Sequence, residues 1–200
     1  STHEEFTEVK RYLLDAYLDY SKKLGKNSFS LMGGYSYRRS SDNSFLANAE
    51  GRSTDKVITL SSASIFTSED SDFSDARMAG IFSRFNYDYA KRYFLTMTFR
   101  ADGSSKFLKG NRWGYFPGAA LGWIMSEEDF MKSIPQINYL KWRLSYGQTG
   151  NNSVGIYDAL GQYSTTRYDG NSGMRASTMA NKSLTWETTT QLDAGLDVNV

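Results

Sequence analysis

The sequence contains no cysteine and only one histidine among its 200 residues. Without thiols it can form neither disulfide bonds nor zinc–thiolate sites. A Ser-His-Asp triad or a histidine-based metal site would have to use His3, which stands beside Glu4 and Glu5 in a polar segment. We therefore interpret His3 as a structural or incidental residue. No acid–base pair or nucleophile stands out, so we predict no catalytic residue, no metal, no other cofactor and no enzyme.

Long apolar runs and an excess of one charge are also missing. No run approaches the roughly 18 residues that a membrane-spanning helix needs. The formal net charge is +1, so bulk electrostatics do not predict a nucleic-acid partner. The segment Ser1 to Glu8 is polar and acidic, unlike a secretory signal. If the protein is exported, we expect this sequence to be a mature chain or an internal fragment.

Seven stretches of the sequence alternate apolar and polar residues with a period of two, most clearly between Tyr93 and Asp102. Successive side chains of a strand face opposite sides of a sheet. One face is therefore predicted to meet an apolar medium such as lipid, and the other a wetter one. The predicted apolar row includes Leu95, Met97, Phe99, Leu121, Trp142 and Leu144, and the predicted polar row includes Thr96, Thr98, Arg100, Lys141 and Arg143.

Short and long connections alternate between these stretches. The predicted strands cover residues 10–22, 28–38, 78–89, 93–102, 113–125, 139–147 and 184–198. The predicted turns are 24–27, 90–92 and 126–138, the last with a short helix capped by Ser126, and the long polar segments are 39–77 and 148–183. Bacterial β-barrels have short periplasmic turns and longer outer loops.

The fold class predicted from this pattern is all-β, an antiparallel meander of about seven long strands that forms part of a large transmembrane β-barrel. The mean hydropathy of −0.54 is compatible with a barrel, because only every second wall residue faces lipid. Aromatic residues near strand ends fit the interfacial girdles of such barrels. The alternative is a soluble sugar-binding or adhesive β-sandwich, whose core would also produce long apolar rows.

Polar loops with scattered aromatic residues are the candidate recognition elements. Glu69, Asp70, Asp72 and Asp75 form an acidic cluster without the spacing of an EF-hand, so we interpret it as a solvated loop. Aromatic side chains in the outer loops could stack on sugars or contact a partner, although packing within the loops is the alternative. The candidate substrate or partner contacts are Phe45, Phe66, Phe73, Tyr163 and Tyr168.

Several blocks from residue 100 onward resemble one known family. The first blocks are Arg100-Ala101-Asp102-Gly103-Ser104-Ser105-Lys106-Phe107 and Asn111-Arg112-Trp113-Gly114-Tyr115-Phe116-Pro117. Later blocks include Ser126-Glu127-Glu128-Asp129-Phe130, residues 140–151 and Leu184-Thr185-Trp186-Glu187. Their succession resembles the late barrel strands of SusC/RagA-type TonB-linked outer-membrane proteins of Bacteroidetes, best over residues 78–200.

The resemblance implies a TonB-dependent receptor in the cell outer membrane that takes up oligosaccharides, peptides or similar nutrients. It also implies three partners, namely outer-membrane lipid, a SusD-like surface lipoprotein, and TonB acting through an N-terminal region. Such transporters have barrels of about 22 strands. We therefore expect residues 1–200 to be part of that barrel, with the plug domain and the remaining strands absent from this sequence.

Overall fold

The computed structural model of the protein describes residues 2–51, 56, 59–134, 136–169 and 171–200. Its strands are β1 (Thr2–Leu24), β2 (Asn27–Glu50), β3 (Ile65–Tyr89), β4 (Tyr93–Ser104), β5 (Trp113–Ile124), β6 (Tyr139–Asn151), β7 (Gln162–Tyr168), β8 (Asn171–Thr178) and β9 (Glu187–Asn199). Seven of these strands form one sheet in the order β1-β2-β3-β4-β5-β6-β9, and β7 and β8 form a separate two-stranded sheet. The order of the large sheet confirms the predicted seven-stranded antiparallel meander.

The helical elements in the described residues are short. They are 3-10 turns at Leu60–Ser62, Met125–Glu127 and Asp129–Ser133. No helix found in this part of the chain has the length and apolar character required to span a bilayer. The predicted cap at Ser126 is wrong, because Ser126 lies inside the second turn and no side chain caps that turn by a hydrogen bond.

Contacts divide the chain into two compact units, Ser1–Leu13 with Arg38–Arg77, and Leu14–Tyr37 with Met78–Val200. In the first unit, the prediction of a long loop over 39–77 is wrong, because β2 continues to Glu50 and β3 begins at Ile65. Polar side chains connect these strands: Arg39 Nε lies 3.0 Å from Asp75 Oδ1, and Asn48 Nδ2 donates to Ser68 Oγ at 2.7 Å. Strands that are connected by polar side chains need no alternation of apolar and polar residues. The period-two pattern of the sequence therefore did not predict the parts of β2 and β3 within 39–77.

In the second unit, the strand register keeps the two predicted rows apart. Leu95 lies opposite Leu121, and Leu121 lies opposite Leu144. On the other face, Thr96 lies opposite Ala120, which lies opposite Ser145. The period-two pattern of the sequence is therefore expressed as two chemically different faces of one sheet.

The predicted polar loop over 148–183 is also wrong. β6 continues to Asn151, and the segment contains the hairpin formed by β7 and β8. β9 begins at Glu187 rather than at Leu184. Leu184 and Trp186 leave the strand pattern because both pack in a small core at the end of the sheet.

Candidate functional site

The polar face of the second unit carries a hydrogen-bonded network. Asn86 donates from Nδ2 to Ser30 Oγ at 3.1 Å, and its Oδ1 accepts a hydrogen bond from Thr96 Oγ1 at 3.0 Å. Arg143 Nη2 lies 2.8 Å from Asp197 Oδ1. Ser145 Oγ lies 3.4 Å from Asp193 Oδ2. This face offers donors and acceptors of both charges to polar solutes.

Aromatic rings and cations also meet on the polar face. Lys141 Nζ lies 5.3 Å from the centre of the Phe94 ring, and Arg100 Cζ lies 5.9 Å from that of Phe82. Such cation–π contacts stabilise a charged side chain on a surface that water still reaches. Gly118 leaves space beside Thr98, because a Cβ at Gly118 would come within 2.6 Å of Thr98 Oγ1.

The opposite, apolar face is exposed. The exposed fractions are 51% for Met97, 47% for Leu121, 70% for Leu192 and 58% for Leu196. A soluble protein rarely leaves such a continuous apolar face in water. This face therefore requires an apolar environment or a covering partner.

Aromatic side chains close the apolar face at the end that carries the 90–92 turn. The ring of Tyr93 stacks on that of Trp123 at 6.1 Å between centres. Both polar tips donate to Glu128 Oε1, from Tyr93 Oη at 2.6 Å and from Trp123 Nε1 at 3.2 Å. The hydrogen bonds from Tyr93 and Trp123, together with nearby Arg92, lower the pKa of Glu128.

At the other end of the sheet, three residues of the sequence blocks form a buried core. Phe107, Phe116 and Trp186 are 1%, 6% and 8% exposed. The Trp186 ring lies 5.6 Å from that of Phe107 and 5.4 Å from that of Phe116. A Cβ at Gly150 would overlap the Phe116 ring. We call the three buried aromatic residues the motif cluster.

Hydrogen bonds fix the β6–β9 connection beside the motif cluster. Lys106 Nζ donates to the carbonyl oxygens of Val154 at 2.8 Å and Asn152 at 3.2 Å. Trp186 Nε1 donates to the Arg112 carbonyl at 2.8 Å, and Asn111 Nδ2 donates to that of Lys182 at 3.0 Å. The residues that carry the family resemblance here act in packing and in fixing the loop backbone.

The hairpin of β7 and β8 lies within the same connection but is exposed. Tyr163 is 66% exposed, Met174 73% and Met179 88%. The hairpin begins at a narrow neck, because a Cβ at Gly161 would lie 3.6 Å from the Ala180 nitrogen. The chain therefore enters and leaves the hairpin at adjacent positions, Gly161 and Ala180, and the hairpin exposes its side chains beyond them.

The five aromatic candidates lie on strands rather than in irregular loops. Phe45 is on β2, Phe66 and Phe73 are on β3, and Tyr163 and Tyr168 are on β7. The first four side chains are 45%, 54%, 56% and 66% exposed, in that order. The side chain of Tyr168 lies outside the described part of the structure. A role of these residues in recognition stays a prediction.

Two details of the sites were not evident in the sequence. Within the predicted acidic cluster, Asp75 binds Arg39 and Arg77, and the described residues include no group of three or more potential metal ligands. Asp102 is 4% exposed and binds Arg100, and a Cβ at Gly80 would overlap its carboxylate. Only the pairing of β3 with β4 reveals this last contact, since residues 80 and 102 are opposite each other.

Comparisons with known proteins match nearly the whole sequence. The family model described as TonB dependent receptor-like, beta-barrel, matches residues 2–200. TonB-dependent receptor P3 of Formosa agariphila is 37% identical over 200 residues, which cover 97% of this chain and 20% of the relative. TonB-dependent receptor SusC of Bacteroides thetaiotaomicron is 34% identical over 189 residues, covering 90% of this chain and 18% of the relative.

Solved structures agree with this fold. The structure of the RagAB peptide transporter matches with a TM-score of 0.87 and 23% identity, over 98% of this chain and 22% of that chain. The RagAB peptide importer in its open-open state matches with a TM-score of 0.79 and 24% identity, over the same shares of both chains. The chain thus spans about a fifth of the length of these proteins.

Proposed function

The chain belongs to the TonB-dependent receptor β-barrel family, whose members are outer-membrane β-barrels, and from this premise we propose that it forms part of the wall of a nutrient transporter. The full-length transporter imports oligosaccharides, peptides or similar nutrients. TonB acts through the N-terminal region of that longer protein, and a SusD-like surface lipoprotein assists uptake.

The observation that carries this proposal is the difference between the two faces of one sheet. The apolar face exposes Met97, Leu121 and Leu192, and the polar face carries ion pairs such as Arg143–Asp197. A barrel wall places the first face against lipid and the second toward an aqueous lumen. The alternative of a soluble β-sandwich would require a second sheet over the apolar face, and family membership does not support it.

We assign the recognition of nutrient or lipoprotein to exposed aromatic residues that lie outside the part of the barrel wall in contact with lipid. Loops and hairpins held by a rigid scaffold commonly carry binding residues. Tyr163 and Met174 occupy the same face of the β7–β8 hairpin, because Tyr163 pairs with Ala176 and Thr165 pairs with Met174. This supports the hairpin as a recognition element. Phe45, Phe66 and Phe73 are further candidates in the first unit.

A replacement of the hairpin in the full-length transporter tests this role. Residues 162–179 are replaced by an Asn-Gly turn between Gly161 and Ala180, whose adjacency allows the backbone to close. The motif cluster and its hydrogen bonds remain, so the barrel should still insert and resist protease. We expect nutrient uptake, or copurification of the lipoprotein, to fall by about tenfold, equivalent to about 1.4 kcal/mol.

A second variant separates the role of the side chains from that of the backbone, because it keeps the hairpin and changes only two exposed side chains. Tyr163→Ser with Met174→Ser preserves the strand pair while removing the exposed apolar contacts. If recognition uses these side chains, the double variant reproduces the loss seen on replacement of the hairpin. Wild-type uptake and wild-type lipoprotein binding in both variants would show that the hairpin is not a recognition element.

A further inference from the structure

A groove indents the apolar face beside its aromatic end. It has a volume of about 580 Å3, within the range of about 300–1,000 Å3 that small-molecule sites occupy. One wall is the row formed by Tyr93, Trp123 and Trp142, which lie opposite one another on three strands. The floor is the neighbouring row, in which Leu95 lies opposite Leu121. The lining is therefore apolar and open on the side that faces lipid.

The character of the surface changes from apolar to charged at the aromatic wall. The hydroxyl of Tyr93 and the indole nitrogen of Trp123 point to Glu128, and Arg92 Nη1 lies 3.5 Å from Glu128 Oε2. Tyrosine and tryptophan prefer the boundary between hydrocarbon and headgroups because each has an apolar body and a polar tip. In a barrel wall, such a groove would run from the hydrocarbon toward the depth of the headgroups.

Both signs of charge occur in the two connections next to the aromatic wall. Lys91 and Arg92 form the turn between β3 and β4, and exposed Glu127 precedes Glu128 in the β5–β6 connection. A purely anionic headgroup would meet the carboxylates as well as the cations. A headgroup with a phosphate and an ammonium group matches both, since the phosphate can pair with Arg92 and the ammonium with Glu127.

We propose that this groove binds a zwitterionic phospholipid, with an acyl chain along Leu95 and Leu121 and its headgroup between Arg92 and Glu127. The occupant follows from continuity with the lipid-facing wall and from the charges at the end of the groove. The site goes beyond the ordinary lipid contact of a barrel, because packing within the protein positions Trp123 in its wall. Trp123 is held between Tyr93 and Phe130, whose ring centre lies 6.3 Å away. A preformed groove loses less conformational entropy when it binds.

The groove arm of the test uses the full-length receptor, purified in detergent, freed of lipid and titrated with phosphatidylethanolamine in native mass spectrometry. Leu121→Trp fills the groove, and Leu192→Trp adds the same side chain elsewhere on the apolar face. We expect about tenfold weaker binding for Leu121→Trp and no change for Leu192→Trp. If Leu121→Trp does not fold, Leu95→Trp fills the same groove from the facing strand. Equal binding by groove variant and control overturns the site.

The headgroup arm compares phosphatidylethanolamine with diacylglycerol and phosphatidylglycerol. Wild type should bind the zwitterionic lipid about fivefold more tightly than either, or about 1 kcal/mol. Arg92→Gln should reduce that binding toward the level of diacylglycerol, whereas Lys109→Gln, in the connection at the opposite end of β4, should not. Equal binding of all three lipids overturns the proposed headgroup contacts. Because the measurement is bound lipid, its outcome is independent of which nutrient the receptor transports.

Discussion

The β6–β9 connection has two parts that differ in burial. At its base, hydrogen bonds and buried rings hold residues 152–154 and 181–186 beside the motif cluster. Between these two segments, residues 162–178 form an exposed hairpin. Both parts belong to one connection, yet one is part of the core and the other is displayed from it. The difference shows how a long connection can be fixed at its base and remain exposed at its tip. Loss of a side chain should therefore be costly in the first part and nearly neutral for folding in the second.

The largest effect is expected from Trp186→Ala. It removes a ring that is packed between Phe107 and Phe116 and the hydrogen bond to the Arg112 carbonyl. We expect the free energy of unfolding to fall by about 3–5 kcal/mol. The matched control Tyr163→Ala, in the hairpin, should change it by less than about 0.5 kcal/mol. Denaturant titration of the receptor in lipid measures both, and equal costs would remove the distinction between the two parts.

The second prediction extends the comparison to the two faces of the wall. Met97→Arg should cost about 2–4 kcal/mol if the residue lies near the bilayer midplane, because it places a charge in lipid. Thr98→Arg, on the polar face, should cost much less. A refolding assay in lipid vesicles compares the two variants. Similar costs would mean that the assignment of the faces is wrong.

A smaller effect is expected from Lys106→Met, which keeps much of the side chain but removes its ammonium group. The Val154 and Asn152 carbonyl oxygens then lose a charged donor, and we expect a cost of about 1–3 kcal/mol. The control is Lys109→Met, at an exposed position of the β4–β5 connection that also contains Lys106, and it should be nearly neutral. The base of the β6–β9 connection should also become more sensitive to protease in Lys106→Met. Unchanged protease protection would show that the hydrogen bonds of Lys106 do not hold the base of this connection in place.

The smallest effect concerns pH and the opposite end of the sheet. The pKa of Glu128 is lowered from its ordinary value of 4.5 by hydrogen bonds from Tyr93 and Trp123 and by Arg92, against the opposing effects of burial and, less strongly, of Asp129. The stabilisation is therefore complete above about pH 4.5 and is lost as the pH falls through the lower folded-state pKa. Glu128→Gln should show a flatter fall of stability in this acidic range, measured by unfolding at several pH values. An identical pH profile in both proteins would contradict the assignment.

The sequence was sufficient to predict the sheet over most of the stretches in which apolar and polar residues alternate. Leu95, Leu121 and Leu144 occupy one face as the pattern predicts, because period two is a direct property of extended backbone. The outer parts of β2 and β3 were missed, since they are held by pairs such as Arg39–Asp75 that leave no periodic signal. The position of aromatic residues near the ends of the strands was evident in the sequence, but the convergence of Tyr93 and Trp123 on Glu128 was not.

The sequence blocks predicted the family without revealing what their residues do. Lys106 and Asn111 would ordinarily suggest solvent-exposed loop positions, yet both donate to carbonyl oxygens more than forty positions away in the sequence. Trp186 was assigned to a strand because it continues an apolar row, and it instead fills the motif cluster. Contacts over such separations depend on the order of strands, which a single sequence does not specify residue by residue.

The neck between Gly161 and Ala180 has a consequence for how such a chain can change over evolutionary time. Because its ends are already held together, the segment beyond the neck can be lengthened or exchanged with little penalty from loop-closure entropy, about 0.6 kcal/mol for each doubling of its length. The residues that the barrel needs for folding lie on one side of the neck. New sequence can be introduced on the other side. On the proposal that the hairpin is a recognition element, its specificity can therefore change without a change in the wall.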